Sequence, residues 1–214
     1  SNVPLKEGKL FMTDTGGHYL EGSTDITRTV ALGEVGNIEK EHFTLVARAM
    51  LRLANTVFLY GCSGANLDCI AREVFWKEGL NFNHGTGHGD GYLLNIHEGP
   101  INFRWKEGER PAPALEENMV ITDEPGIYIE GSHGIRLENE LLVRKTVKNE
   151  YGQFMNFEIL TYVPIDLDAI LPEKMSTEEK EMLNHYHKQV YEKVSPYLSE
   201  EERIWLKEYT RAVK

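Results

Sequence analysis

Residues 14–29 read DTGGHYLEGSTDITRT, and this stretch decides the fold. A short apolar run, residues 9–14, precedes it, and β-branched residues crowd its second half. Glycine-rich interruptions at residues 15–17 and at Gly22 predict a hairpin or small meander with breaks at those points. The stretch places one aspartate on each side of the interruption, Asp14 and Asp25. Because Asp14 follows an apolar run, we expect its carboxylate to be buried.

Outward from this hairpin, the sequence alternates between helical and strand patterns. Apolar residues recur at helical spacing in residues 37–60 and again in residues 66–78. The glycine-dense stretch HGTGHGDG, residues 84–91, excludes a regular helix and predicts a loop or irregular strand. Three strands are then predicted at residues 119–124, 126–130 and 135–143. The order of strands, two helices and further strands predicts an α+β fold.

The last fifty residues differ from the rest, because charged helical patterns replace the strands after Pro164. One helix is predicted to start at Ser176 or Thr177 and another at Ser199, each followed by glutamates that favour a helix N-terminus. We therefore predict a main domain over residues 1–165 and a helical extension over residues 166–214. The extension is expected to pack on the main domain or on a partner subunit.

Composition excludes two classes of partner. The formal net charge is -11 and the basic residues form no stripe, which argues against nucleic-acid binding. No run approaches the roughly 20 apolar residues that a membrane span requires. With two cysteines, Cys62 and Cys69, the chain has no disulfide framework, so we predict a cytoplasmic location.

Five residues together predict a metal centre: Asp14, Asp25, His88, Glu124 and Glu138. Taken singly, an aspartate beside glycine is commonly a turn residue and a strand glutamate commonly faces solvent. As a group, four carboxylates and a neutral imidazole carry about four negative charges, which two divalent cations would cancel. Two such ions, roughly 3.5–4 Å apart, can share a water and make hydroxide available as the nucleophile for amide hydrolysis. This ligand set suits Mn²⁺, with Co²⁺ or Zn²⁺ as alternatives, better than Ca²⁺, which prefers oxygen alone.

The motifs that carry these residues resemble one family. Together with residues 14–29, they are HGTGHG at 84–89, NIHEGP at 95–100, TDEPG at 122–126 and GIRLEN at 134–139. Their order and spacing are similar to the aminopeptidase P (Xaa-Pro aminopeptidase) branch of the creatinase-like, or pita-bread, metallopeptidases of family M24B. The resemblance continues through residues 157–164 and into the tail. It implies a curved antiparallel sheet covered by helices.

The resemblance also assigns roles to the site residues. It implies that Asp25 and Glu138 bridge the metals, that Asp14 holds one ion, and that His88 and Glu124 hold the other. His84 and His97 are similar to family histidines that bind substrate, polarise the scissile carbonyl and move protons to the leaving nitrogen. Arg136 would orient ligands, and Glu124 would add acid–base catalysis. The implied substrates are peptides with proline at the second position, and the implied assembly of the full-length protein is a homodimer.

Two departures from the family pattern bear on activity. Asp90 stands where an apolar residue is more usual, although it is not a ligand. Only 13 residues precede Asp14, whereas the family has a helical segment, a further histidine and N-terminal domains upstream. The chain therefore resembles the C-terminal catalytic part, and we expect it to bind metal weakly and to be poorly active by itself.

Three alternative functions remain open at this point. A prolidase, which cleaves only dipeptides, and a methionine aminopeptidase share the fold and the metal ligands. A non-catalytic pita-bread domain that binds peptides is the alternative from another class, although such domains commonly lose ligands. A phosphate-binding loop at residues 84–91 is disfavoured, because its alternating glycines do not follow GxGxxG.

Overall fold

The computed structural model describes residues 2–106 and 112–214. Its first element is a two-stranded antiparallel hairpin of β1 (Lys9–Tyr19) and β2 (Gly22–Leu32). The predicted break at residues 15–17 is wrong, since β1 runs through it and the chain turns at residues 20–21. A Cβ on Gly16 would lie 2.2 Å from the carbonyl oxygen of Thr24, so glycine lets the two strands approach here. The register sets Asp25 opposite Gly16.

Two helices follow the hairpin, α1 (Asn37–Ala54) and α2 (Gly64–Lys77). The first is shorter than predicted. It ends at Ala54, where the Asn55 side chain donates to the Leu51 carbonyl, and Phe58–Leu59 form a strand instead of a last turn. The second starts two residues earlier than predicted, because Ser63 and Asn66 form a capping box.

A four-stranded antiparallel sheet has the order β3, β10, β9, β6, and two short hairpins pair β4 with β5 and β7 with β8. The bounds are β3 (Phe58–Leu59), β4 (Gly87–His88), β5 (Asn102–Phe103), β6 (Val120–Asp123), β7 (Gly126–Tyr128), β8 (Gly134–Arg136), β9 (Asn139–Asn149) and β10 (Gly152–Ile159). The strand predicted at residues 135–143 is thus divided at residues 137–138, and β10 was not predicted.

Hydrogen bonds join the first hairpin to the division between β8 and β9. The amide of Glu138 donates to the Thr27 carbonyl at 3.0 Å, and the Thr29 hydroxyl donates to the Arg136 carbonyl at 2.9 Å. These contacts bring the two carboxylate-bearing parts of the chain together. The main hydrophobic core lies between α1, α2 and the sheet, with Phe43, Met50 and Phe75 fully buried.

The tail forms α3 (Thr177–Val194) and α4 (Glu200–Tyr209), with capping boxes at Ser176 and Ser199. The first of these helices packs against α1, and Arg48 pairs with the buried carboxylate of Glu179 at 2.9 Å. Across the described parts of the chain, no helix combines the length and the apolar character that a membrane crossing requires.

Candidate metal centre

Four of the five predicted ligands converge at one point. Asp25 comes from β2, His88 from β4 and Glu138 from the segment after β8, and one ligand atom of each lies within 4.8 Å of the others. His88 Nε2 is 3.6 Å from Asp25 Oδ2 and 3.4 Å from Glu124 Oε1. Three carboxylates and one imidazole from distant parts of the sequence therefore face a common space.

The glycine loop places His88 by lying directly against β6. A Cβ on Gly87 would fall 1.8 Å from the Thr122 carbonyl oxygen, so any larger residue would push the loop away. The amide of His88 donates to the Thr122 hydroxyl at 3.1 Å, and the amide of Glu124 donates to the Thr86 carbonyl at 2.7 Å. The alternating glycines thus serve close backbone packing, which sets His88 and Glu124 side by side.

Asp14, the fifth predicted ligand, lies beside this group and contacts Arg136. Its Oδ2 accepts from Arg136 Nη2 at 2.5 Å. The expectation that Asp14 is buried is wrong: its side chain is 53% exposed, because β1 belongs to a two-stranded hairpin with little covering it. The pKa of Asp25 is raised mainly by burial and, second, by the negative charge of Asp14.

Arg136 connects several residues at the edge of the site. It donates to the hydroxyls of Thr27 and Tyr128, at 3.0 Å in each case, and Thr27 in turn donates to Glu138 Oε2 at 2.6 Å. Thr27 and Tyr128 were not predicted as site residues. A signal for Thr27 was available, since it lies two residues after Asp25 and therefore on the same face of β2.

The electrostatics of the group favour cation binding. Burial and, second, the neighbouring negative charge of Glu124 together raise the pKa of Glu138 to about 8. Burial likewise raises the pKa values of Asp25 and Glu124. Carboxyl groups held together in this way resist ionisation unless positive charge compensates. Oxygen-rich ligands with one imidazole fit divalent transition ions, so the residues present suit the predicted metals.

A cavity of about 620 Å³ opens beside the centre and is lined by His84, His97 and Arg136 among others. The ring of His97 packs edge-on against His88 at 4.3 Å between centroids. His84 Nδ1 contacts the Gly85 carbonyl at 2.7 Å, and burial lowers the pKa of His84. Its buried Nε2 finds no hydrogen-bond partner within residues 2–106 and 112–214. In the neutral ring Nδ1–H is the donor to the Gly85 carbonyl, which leaves Nε2 as an acceptor.

Two buried ionisable groups behind the site were not predicted from the sequence. Glu140, 6% exposed, accepts from the Asp25 amide at 2.7 Å, and Asp90 faces it from the glycine loop. Arg28 donates to carbonyl oxygens of Glu138 and Val163 and to the Asn139 side chain. The position of Glu140 within the apolar run of β9 could have indicated from the sequence that this side chain is buried. Nothing local indicated the partners of Arg28.

Comparison with known proteins agrees with this geometry. The profile described as Metallopeptidase family M24 matches residues 1–145, and that of the C-terminal region of peptidase M24 matches residues 153–213. A relative named "Probable Xaa-Pro aminopeptidase P" from Paracoccidioides brasiliensis (strain Pb03) is 40% identical over 209 residues, which are 95% of this chain and 34% of the relative. The chain thus spans about a third of the length of the curated relatives it matches.

Solved structures extend the comparison. The X-prolyl aminopeptidase from Caenorhabditis elegans, described as a cytosolic enzyme with a di-nuclear active site, superposes with a TM-score of 0.89 at 36% identity. The match covers 95% of this chain and 34% of that one. An Xaa-Pro dipeptidase from Bacillus anthracis gives 0.63 at 34% identity, covering 78% of this chain and 43% of that one. These similarities confirm the predicted pita-bread α+β fold.

Proposed function

The chain belongs to metallopeptidase family M24, and from this premise we propose that it carries the active site of an Xaa-Pro aminopeptidase. The reaction is hydrolysis of the bond between an N-terminal residue and a following proline. The observation that carries the proposal is the convergence of Asp25, His88 and Glu138, whose ligand atoms lie within 4.8 Å of one another. The relatives named Xaa-Pro aminopeptidase P support the choice of substrate.

Two divalent ions fit these residues, and we propose Mn²⁺. Asp25 and Glu138 would bridge them, Asp14 would hold one ion, and His88 with Glu124 would hold the other. Although Oδ2 of Asp14 accepts from Arg136, the carboxylate keeps further acceptor positions for an ion. When bound, the ions activate water and withdraw electron density from the scissile carbonyl.

The chain's own residues supply proton transfer and orientation. Glu124, whose pKa burial raises, is suited to accept a proton at Oε1 and to return it to the leaving proline nitrogen. In the neutral His84, Nδ1–H donates to the Gly85 carbonyl and Nε2 is an acceptor suited to an N–H group of the substrate. His97, whose ring packs against His88, is the second histidine assigned to substrate binding. Arg136 keeps Thr27 and Asp14 oriented through its fixed guanidinium geometry.

Prolidase activity is the second candidate, because Xaa-Pro dipeptidases share the fold at 34% identity. The aminopeptidase is favoured by the curated relatives named Xaa-Pro aminopeptidase P, which are 40% identical over 95–96% of this chain, and by the worm aminopeptidase, which matches 95% of it. We further propose the domain division 1–165 and 166–214, a cytoplasmic location as in the cytosolic worm enzyme, and a homodimer in the full-length protein.

The test combines metal analysis with substrate choice. The purified protein is assayed with added Mn²⁺ on a dipeptide, a longer X-Pro peptide and a Met-initiated peptide. At saturating Mn²⁺ we expect about two transition ions per chain and cleavage of the longer X-Pro peptide, at the low rate expected of this chain by itself. Preference for the dipeptide would favour a prolidase, and preference for the Met-initiated peptide a methionine aminopeptidase. Absence of bound metal under Mn²⁺ saturation would favour a binding module.

A further inference from the structure

One rim of the active-site cavity carries positive charge that the proposed mechanism does not use. Arg104 follows β5 directly, and β5 pairs with Gly87 and His88 of the glycine loop. Phe103 is fully buried, so alternation along the strand turns Arg104 outward. Arg104 lines both the cavity at the metal centre and an adjoining groove of about 250 Å³, in which Trp105 and Lys106 also lie.

The other arginines of the two cavities are engaged within the protein. Arg72 pairs with the buried Asp68 at 2.6 Å, and Arg136 pairs with Asp14 at 2.5 Å. Arg104 and Lys106 are exposed, and within residues 2–106 and 112–214 neither has a carboxylate within 4.0 Å. In a chain of net charge -11, two exposed cations on the groove that adjoins the catalytic cavity are unusual.

The adjoining groove has surfaces that suit an extended peptide. Trp105 is 44% exposed and packs edge-on against Trp76 with ring centroids 5.6 Å apart. Lys106 Nζ lies 4.7 Å from the centroid of the Trp105 ring, which holds the ammonium group close to the indole. An aromatic face beside cationic groups offers apolar contact to a peptide backbone and charge to its acidic groups.

The proposed reaction sets the position of a bound peptide. Its scissile bond lies at the metal centre, which His88 and Glu124 mark in the cavity lining. The part of the peptide after proline occupies the rest of the cavity, where Arg104 also lines the wall. An extended chain advances about 3.3–3.6 Å per residue. A carboxylate one or two residues beyond the proline therefore lies about 3–7 Å farther along the peptide, towards the adjoining groove.

We propose that Arg104, with Lys106, forms a carboxylate-binding subsite for the part of the substrate downstream of proline. The subsite deepens the proposed function and rests on it. The preferred substrates are then short X-Pro peptides of three or four residues with a free terminal carboxylate, or longer peptides with an acidic residue at that position. An exposed charge-assisted contact of this kind predicts a preference of about three- to tenfold, which salt reduces.

The test compares matched peptides that differ only at the carboxyl terminus. We expect the protein with Mn²⁺ to cleave Ala-Pro-Ala and Ala-Pro-Ala-Ala about three- to tenfold more efficiently, in kcat/KM, as free acids than as amides. In Arg104→Gln the ratio of acid to amide falls towards one, with Lys106 accounting for any remainder, whereas Arg104→Lys retains more of it. Lys148→Gln, an exposed lysine on β9, is the matched control and keeps the wild-type ratio.

A binding measurement separates this subsite from the proposed activity. The product-like peptide Pro-Ala-Ala and its amide are titrated calorimetrically into the Mn²⁺-loaded protein. Tighter binding of the acid by wild type, lost in Arg104→Gln, supports the subsite even if no peptide is cleaved, and in that case only the proposed function fails. Equal binding of acid and amide by wild type, or an unchanged ratio in Arg104→Gln, overturns the subsite.

Discussion

His187 provides a quantitative test of how the tail is held on the main domain. It lies on α3, is fully buried, and its Nε2 accepts a hydrogen bond from the Ile165 amide at 3.0 Å. That acceptor role requires the neutral ring. Burial and, second, the positive charge of Arg28 together lower the pKa of His187 from 6.5 to about 4.

The sign of the pH effect follows from this difference. Between pH 4 and 6.5 the unfolded chain binds a proton at His187 that the folded chain does not, so the free energy of unfolding rises with pH in this window. The contribution is complete above pH 6.5 and is lost as the pH falls towards 4. A pKa of about 4 in place of 6.5 corresponds to about 3 kcal/mol at ~1.4 kcal/mol per tenfold change in proton affinity.

The perturbation is His187→Gln, because the glutamine oxygen can accept from the Ile165 amide but does not titrate. Urea unfolding of both proteins at pH 7.0 and 4.5 gives the free energy of unfolding. Between these values we expect wild type to lose about 2–3 kcal/mol more than the variant. His185→Gln, on the exposed face of the same helix, should behave like wild type. Parallel pH profiles for wild type and His187→Gln would refute the reasoning.

Three further predictions concern the site. Replacing Asp25 or Glu138 with Ala should abolish peptide hydrolysis and lower metal occupancy at both positions, as measured by elemental analysis. Wild-type turnover would show that neither bridges. His97→Ala should retain the metals and lower kcat by about 100-fold or more, so joint loss of metal and rate would indicate a ligand instead. Glu140→Leu leaves the Asp25 amide without its acceptor and should destabilise the fold by about 1–3 kcal/mol and weaken Mn²⁺ binding, whereas Glu140→Gln should preserve both. Thermal unfolding and metal titration test this pair, and identical behaviour of the two variants would show that the hydrogen bond to Asp25 is unimportant.

Features that depend on neighbouring residues were predictable from the sequence. Ser176 and Ser199 each have glutamate three residues later, and both start helices through a capping box. The glycines of residues 84–91 excluded a helix, and the segment is a loop with a two-residue strand. In these cases a few consecutive residues determine the local conformation.

Features that depend on distant partners were not predictable in the same way. Glycines at positions 16 and 17 indicate a break by propensity, but the contact between Gly16 and the Thr24 carbonyl makes glycine a requirement of the strand. Phe58 has the spacing of a helical residue, yet it pairs with Met155 in the sheet. Since β10 lies almost 100 residues later, no local pattern could indicate this pairing.

Asp14 and Glu140 have similar sequence surroundings but differ in burial, and this difference explains how the site is built. Each is an acidic residue in an apolar run, but Asp14 is half exposed on a thinly covered hairpin and Glu140 is 6% exposed in the sheet. Glu140 accepts a hydrogen bond from the Asp25 amide and so joins β9 to β2, and Arg28 donates a hydrogen bond to the Glu138 carbonyl. The two residues proposed to bridge the metals are therefore each fixed at the backbone by a buried ionisable side chain. A rigid backbone at these two positions lets the carboxyl groups stay close despite their mutual repulsion, which is the condition for binding a pair of cations.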